Sequence, residues 1–138
     1  MDVFDLIKKH EGLKLKPYID MVGKITIGWG RNLDDVGITE LESEMLLKND
    51  VERAVLSLTH CFTWYSSLDD VRKAVLIDMV FNLGIQGFLK FVMTIEHLMN
   101  GEYDLAADTM LDSKWAHQVG DRAVELSEMM RSGKWCSL

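Results

Sequence analysis

His10-Glu-Gly-Leu-Lys-Leu-Lys-Pro-Tyr-Ile-Asp-Met-Val-Gly-Lys-Ile-Thr-Ile-Gly-Trp-Gly-Arg31 is the stretch whose reading decides the fold. An amphipathic segment closes at Glu11, and a short alternating run ends at Asp20. A second such run contains Thr26 and leads into the bend Gly28-Trp29-Gly30. Two carboxyls and a hydroxyl therefore fall on three adjacent elements just before a glycine bend. The remainder of the chain has mostly helical spacing, so this stretch reads as a chemical lip held by a helical scaffold.

Upstream, Phe4, Ile7 and Glu11 share one face of a helix predicted over residues 2–11. Asp2 suits its N-cap and Gly12 the position past its end. Glu11 continues the apolar stripe and sits at the negative end of the helix dipole. Burial and dipole both disfavour its ionised form. Leu13–Asp20 and Lys24–Gly28 read as strands joined by Met21-Val22-Gly23, and residues 31–36 as a third strand. The expected product is a small antiparallel sheet.

Downstream, Thr39-Glu-Leu-Glu42 is a capping box. It opens a helix to about Leu58, with Leu41, Met45, Val51, Val55 and Leu58 on its inner face. Ser67-Leu-Asp-Asp70 reads as another helix start. Ala74–Leu83 is apolar nearly all round, which places it in the middle of a bundle. Gly84 and Gly87 bracket a turn. Helices are expected over Phe88–Met99, Glu102–Leu111 and Asp121–Arg131, with a short helical turn at Trp115–Gln118 and Asp121 as the last cap. Trp135 is expected to pack back onto the bundle.

The 138 residues suit one domain, and 48 % apolar with 27 % charged residues is enough to bury a real core. A net charge of -7 argues against nucleic-acid binding. Cys61 and Cys136 have no metal-ligand or redox spacing and read as free thiols. His10, His60, His97 and His117 lack ligand spacing, so neither a metal nor another cofactor is expected. Met1–Lys9 is too polar for a signal peptide, and no apolar run approaches the roughly 20 residues of a bilayer span. Synthesis in the cytoplasm without stable membrane insertion is the expectation.

Hydrolysis of a glycosidic bond by general acid catalysis needs a carboxyl that holds its proton and a second group that holds water or stabilises charge. Glu11 fits the first role and Asp20 the second, with the Thr26 hydroxyl able to orient water. Taken singly, each has a plainer reading: a surface charge, a turn residue and a strand former.

The pattern Glu11-x8-Asp20-x5-Thr26, set in Glu-Gly-Leu-x-Leu-x-x-Tyr and Thr-Ile-Gly-x-Gly, resembles the phage-type lysozymes of glycoside hydrolase family 24. Further similar stretches are Asn49-Asp-Val51, Ser67-Leu-Asp-Asp-Val-Arg72, Met79-Val-Phe81, Asp121-Arg-Ala123 and Gly133-Lys-Trp135, so the likeness covers nearly the whole chain. The resemblance implies an α+β, mostly α-helical, two-lobed lysozyme-like fold with a small antiparallel sheet. A sheet-bearing lobe at about 12–38 is joined by a helix at about 39–58 to a helical lobe at about 59–138. The helix at residues 2–11 would pack on the helical lobe, with substrate between the lobes. The implied activity is that of a peptidoglycan muramidase, cleaving the β-1,4 bond between N-acetylmuramic acid and N-acetylglucosamine.

Carried over by position, Glu11 would be the acid. Asp20 and Thr26 would hold water on the opposite face of the sugar, giving inversion and a carboxyl separation above about 6.5 Å. Arg122 falls where the family has an arginine close to the glutamate; it would orient Glu11 while favouring its charged form. Arg31 replaces the family's usual histidine and Asp50 matches that histidine's acidic partner, so an Arg31–Asp50 ion pair is expected. Saccharide contacts are implied at Asn32, Phe81, Thr94 and Thr109, although Asn32, Thr94 and Thr109 depart from the family residue. The loop from Asp34 to Gly37 is short against the family pattern.

These readings converge on a monomeric phage or prophage endolysin that acts on the glycan strand in the periplasm once a holin-like membrane protein opens the way. A tail-associated lysozyme, a wall-binding module without turnover and a hydrolase of chitin-like glycans are the alternatives. The intact Glu11, Asp20 and Thr26 argue against the module.

Overall fold

The computed structural model describes residues 1–137 and forms two compact units, Met1–Leu47 and the chain from Lys48 onward. The first opens with helix α1 (Val3–Glu11). Asp2 and Asp5 cap it reciprocally: Asp2 accepts the Asp5 N–H at 2.9 Å, and Asp5 accepts the Asp2 N–H at 3.1 Å. Gly12 ends the helix at φ 70°, a conformation that costs a residue with a Cβ more than it costs glycine. None of the residues of α1 is buried.

Strands β1 (Lys14–Ile19), β2 (Ile25–Gly28) and β3 (Arg31–Asn32) follow in that spatial order, each pair antiparallel. Tyr18 faces Thr26 and Ile19 faces Ile25, but Lys14 faces Gly28, so β1 carries a bulge between Lys14 and Tyr18. Pro17, which has no N–H to give a ladder, lies inside that irregular span. The third strand is shorter than the six residues expected. Asn32 still pairs with Thr26, but its side chain builds a turn, its Oδ1 accepting the Asp35 N–H at 2.9 Å and its Nδ2 donating to Asp35 at 3.0 Å. The Asp34 carboxylate takes the Ile25 N–H at 2.8 Å. Side chains have replaced the backbone partners that a longer strand would supply.

Helix α2 (Glu40–Cys61) starts with the expected Thr39–Glu42 box and runs three residues past the expected end. Its inner face is shorter than the periodicity indicated: Ala54 and Leu58 are buried, whereas Leu41 and Met45 are exposed.

The second unit contains α3 (Asp70–Phe88), α4 (Val92–Met99), α5 (Tyr103–Leu111), α6 (Lys114–Val119) and α7 (Asp121–Ser132). The apolar stretch of α3 is central as expected, with Val75, Leu76 and Met79 fully buried. Each such side chain contributes about 1.5–3 kcal/mol by leaving water. Ala106 and Ala107 are also fully buried and let α5 approach α4 and α7 closely.

Four local expectations are corrected. Ser67 closes a 3-10 turn (Tyr65–Ser67), and Asp69 caps α3 by accepting the Arg72 N–H at 3.1 Å. Gly84 breaks α3 at φ 73°, after which the chain stays helical to Phe88, so α4 starts only at Val92. Gly120, not Asp121, precedes α7, because its φ of 59° turns the chain out of α6. Trp135 is 65 % exposed rather than packed on the bundle.

Arg72 ties the start of α3 to the end of α7. Its Nε donates to the Met130 carbonyl at 2.7 Å and one Nη to the Arg131 carbonyl at 2.9 Å, satisfying groups that a helix end leaves open. Its other Nη reaches Asp69 at 3.1 Å, and the guanidinium lies 3.9 Å from the Tyr103 ring centroid. Arg72→Ala is expected to cost about 2–4 kcal/mol in urea unfolding followed by circular dichroism, because charged hydrogen bonds and a stacked cation are lost together. Arg72→Lys is expected to recover less than half, since the planar fork is gone. An alanine variant within about 0.5 kcal/mol of wild type, the range of an ordinary surface change, would defeat the capping argument.

Candidate active site

The chemistry-bearing residues of the first unit gather around one hairpin. Glu11 is the last residue of α1, Asp20 follows the last residue of β1, and Thr26 is the second residue of β2. The turn between the strands is organised by Asp20. Its Oδ1 accepts the N–H of Val22 at 3.0 Å and of Lys24 at 2.8 Å. Its Oδ2 has no protein donor among the described residues. Thr26 is 3 % exposed, and its hydroxyl donates to the Lys24 carbonyl at 3.0 Å. That same carbonyl accepts the Asp20 N–H at 2.9 Å. One backbone oxygen thus gathers the residues at both ends of the turn, and what each has left over is acceptor capacity.

Glu11 is exposed in its own unit. Its carboxyl lies against Gly30: a Cβ placed there would sit 2.9 Å from Glu11 Cδ and 3.0 Å from Oε2. One turn earlier on α1, Lys8 Nζ is 4.5 Å from the centroid of the Trp29 ring. The Gly-Trp-Gly bend and the end of α1 therefore meet at two adjacent points.

Arg31 and Asp50 each have a partner within their own unit. Arg31 Nη1 donates to Glu42 at 2.7 Å and to the Gly37 carbonyl at 3.2 Å, while Asp50 accepts from Arg53 at 3.1 Å. The reason is local. Glu42 already faces back along the first turn of α2 to accept the Thr39 N–H at 2.9 Å, and the short Asp34–Gly37 loop brings Arg31 to it. Asp50 is served by an arginine three positions on in the same helix. The Arg31 guanidinium, followed by the Thr39 N–H, holds the Glu42 carboxyl down at about 2.

Arg122 likewise has a partner in its own unit. Its Nε donates to Asp78 Oδ1 at 2.7 Å, which joins α7 to α3. Phe81, on α3, is 47 % exposed and is therefore not a core residue. It borders a groove of about 280 Å³ with Asp50, Arg53 and Gly84. Thr94 is 1 % exposed and bonded to Thr109 at 2.7 Å. Thr109 donates to the Ala106 carbonyl at 2.8 Å, so the shared proton comes from Thr94. Both hydroxyl protons are taken internally, beneath a groove of about 590 Å³ that Phe91, Trp115 and Gln118 also line. Asn32 is held by its own turn.

Sequence reading missed Lys8, Trp29 and Gly30. Lys8 stands three positions before Glu11, a spacing that places both on one helix face. An aromatic between two glycines was the other available signal. Among the described residues there is no cluster of three or more His, Cys, Asp or Glu side chains able to hold a metal.

A model of the phage lysozyme family matches residues 8–131, which takes in this whole hairpin and most of the helical unit. The chain belongs to the phage lysozyme family. It is a glycoside hydrolase of the lysozyme type, and its α+β fold, mostly helical with a small antiparallel sheet, is the one the resemblance implied. The chain is 30 % identical to "Probable T4-type lysozyme 1" of Dictyostelium discoideum, over 94 % of this chain and 93 % of that protein. It is 30 % identical to the endolysin of Acyrthosiphon pisum secondary endosymbiont phage 1, over 80 % of this chain and 75 % of that protein. The pre-baseplate central spike protein Gp5 of Enterobacteria phage T4 matches 96 % of this chain at 24 % identity, but the match spans 28 % of the spike protein.

The Arg31–Glu42 bond gives this lysozyme a defined acid sensitivity. The carboxyl of Glu42 goes from 4.5 when unpaired to about 2 when folded, so the unfolded chain binds more protons between those values. The bond's stabilisation is present in full above about pH 4.5 and is lost as pH falls toward 2. In thermal unfolding, wild type is expected to exceed Glu42→Gln at neutral pH, and the gap to close across that window. A gap that stays constant from pH 6 to pH 2, roughly the whole interval in which carboxylates titrate, would sink the assignment.

Proposed function

We propose that this lysozyme hydrolyses the β-1,4 bond between N-acetylmuramic acid and N-acetylglucosamine with inversion, using Glu11 as general acid and Asp20 with Thr26 as the water site. The observation that carries the reading is the proton inventory of the hairpin. Thr26 has given its hydroxyl proton to the Lys24 carbonyl, and Asp20 Oδ1 is occupied by two N–H groups. A water between Asp20 Oδ2 and the Thr26 oxygen must therefore donate both its protons. Its lone pairs then face away from the hairpin, toward an anomeric carbon. As that carbon is attacked, Asp20 receives one proton while Glu11 delivers its own to the departing glycosidic oxygen. Inversion follows because acid and water work on opposite faces of the ring.

In the helical unit, the exposed face of Phe81 suits packing against a sugar ring, with Asp50 and Arg53 along the same groove to bond its hydroxyls. Thr94 and Thr109 shape the larger groove rather than donate into it, since their protons are taken. Arg122 acts through Asp78, and Asn32 by shaping the lip.

The biological setting we propose is release of phage progeny. The chain would act as a monomeric endolysin, made in the host cytoplasm and admitted to the periplasm by a holin-like membrane protein. The endolysin relative supports this reading. The central spike relative supports a second one, action from a tail device during entry.

Purified protein is expected to clear chloroform-treated Gram-negative cells. Glu11→Gln and Asp20→Asn are expected to lose about 100-fold or more in rate, and Thr26→Val to lose its share of water positioning. Nuclear magnetic resonance of the first product on soluble glycan fragments should show the α-anomer. Clearing by Glu11→Gln at the wild-type rate would defeat the acid assignment, and a first product in the β-configuration would defeat inversion.

A further inference from the structure

Glu11 closes α1, and no residue of its own unit donates a hydrogen bond to its carboxylate. A glutamate so placed has three rotatable bonds, yet a general acid must hold its proton in one direction. Within this unit what confines it is a surface. We infer that Gly30 is a positioning residue: its bare Cα face is the seat of the Glu11 carboxyl, and the Lys8–Trp29 contact clamps α1 onto that seat. The inference rests on the reading of Glu11 as the acid.

The two glycines of the bend separate the argument from ordinary turn chemistry. Gly28 has φ 70° and Gly30 has φ 87°, so both backbones disfavour a Cβ. A Cβ on Gly28 would meet nothing within 4 Å. On Gly30 it would meet Glu11 Cδ at 2.9 Å, Oε2 at 3.0 Å and Cγ at 3.2 Å. The whole end of the Glu11 side chain therefore lies over one glycine. Conformation alone favours glycine at 28, whereas at 30 an added Cβ would also push the Glu11 carboxyl from its place.

Lys8 and Trp29 supply the closing force beside that contact. Trp29 is 45 % exposed with an ammonium 4.5 Å from its ring centroid, and Lys8 and Glu11 are one turn apart on α1. Arg31 holds the far side of the bend through Glu42 at 2.7 Å. The bend is thus fixed at residues 29 and 31, and residue 30 between them carries the carboxyl.

The test compares Gly30→Ala with Gly28→Ala, which shares the backbone strain and lacks the clash. On soluble glycan fragments Gly30→Ala is expected to lose about 100-fold in kcat with KM within about twofold, as for an acid displaced by an ångström. Gly28→Ala is expected to keep kcat within a few-fold. Urea unfolding gives a readout apart from activity: in a Glu11→Ala background, the stability cost of Gly30→Ala is expected to fall to that of Gly28→Ala. Equal loss of kcat in the two glycine variants, or a Gly30→Ala cost that ignores residue 11, overturns the inference. Should Gly30→Ala not fold, Lys8→Met and Trp29→Ala carry the test. Each is expected to lower kcat about two- to fivefold, with recovery in Lys8→Arg and Trp29→Phe. No loss in either, or no recovery, overturns the clamp. Full activity of Glu11→Gln instead refutes the acid assignment, and the stability cycle still decides the seat.

Discussion

The bond from Arg31 to Glu42 is the constraint on which the sheet-bearing unit depends. Glu42 already closes the capping box of α2, so a single carboxylate fixes both the first turn of that helix and the end of the glycine bend. A histidine in this position would lose its charge near neutral pH, whereas arginine keeps it. The acid limit of the bond is therefore set by Glu42 alone. A second contact, Lys8 over Trp29, holds the other side of the bend to α1.

Much of this was legible because the decisive signals are local. The capping residues Asp2 and Thr39, the terminator Gly12 and the strand pair around Met21-Val22-Gly23 are all set by neighbours within a few positions. The buried centre of α3 was readable for the same reason, as a run too apolar to face water. Errors arose where side chains compete with the backbone or where the partner is chosen by packing. β3 stops at Asn32 because Asn32 and Asp34 offer the backbone better partners than another strand residue would. Asp69 takes the cap from Ser67 because Ser67 is held in the preceding turn.

Ion pairs were the least legible feature. Residue identity says that Arg31, Asp50 and Arg122 need partners, but not which carboxylate lies nearest. Asp50 found Arg53 within its own helix, and Arg122 found Asp78 across from α7. The likeness to the family pointed to Glu11, Asp20 and Thr26, which lie at the end of α1 and on the two sides of one hairpin.

The plain and the chemical readings of the hairpin residues turn out not to compete. Asp20 is a turn residue, and because it is one, Oδ1 is immobilised and only Oδ2 is left without a donor among the described residues. Thr26 is a strand residue, and because its hydroxyl is buried against the Lys24 carbonyl, it is left as an acceptor. Gly30 belongs to a bend, and because it is bare, the Glu11 carboxyl can lie on it. In each case the local fold removes the alternatives that a free side chain would have. In the mechanism proposed above, these restrictions are what aim the water and the acid.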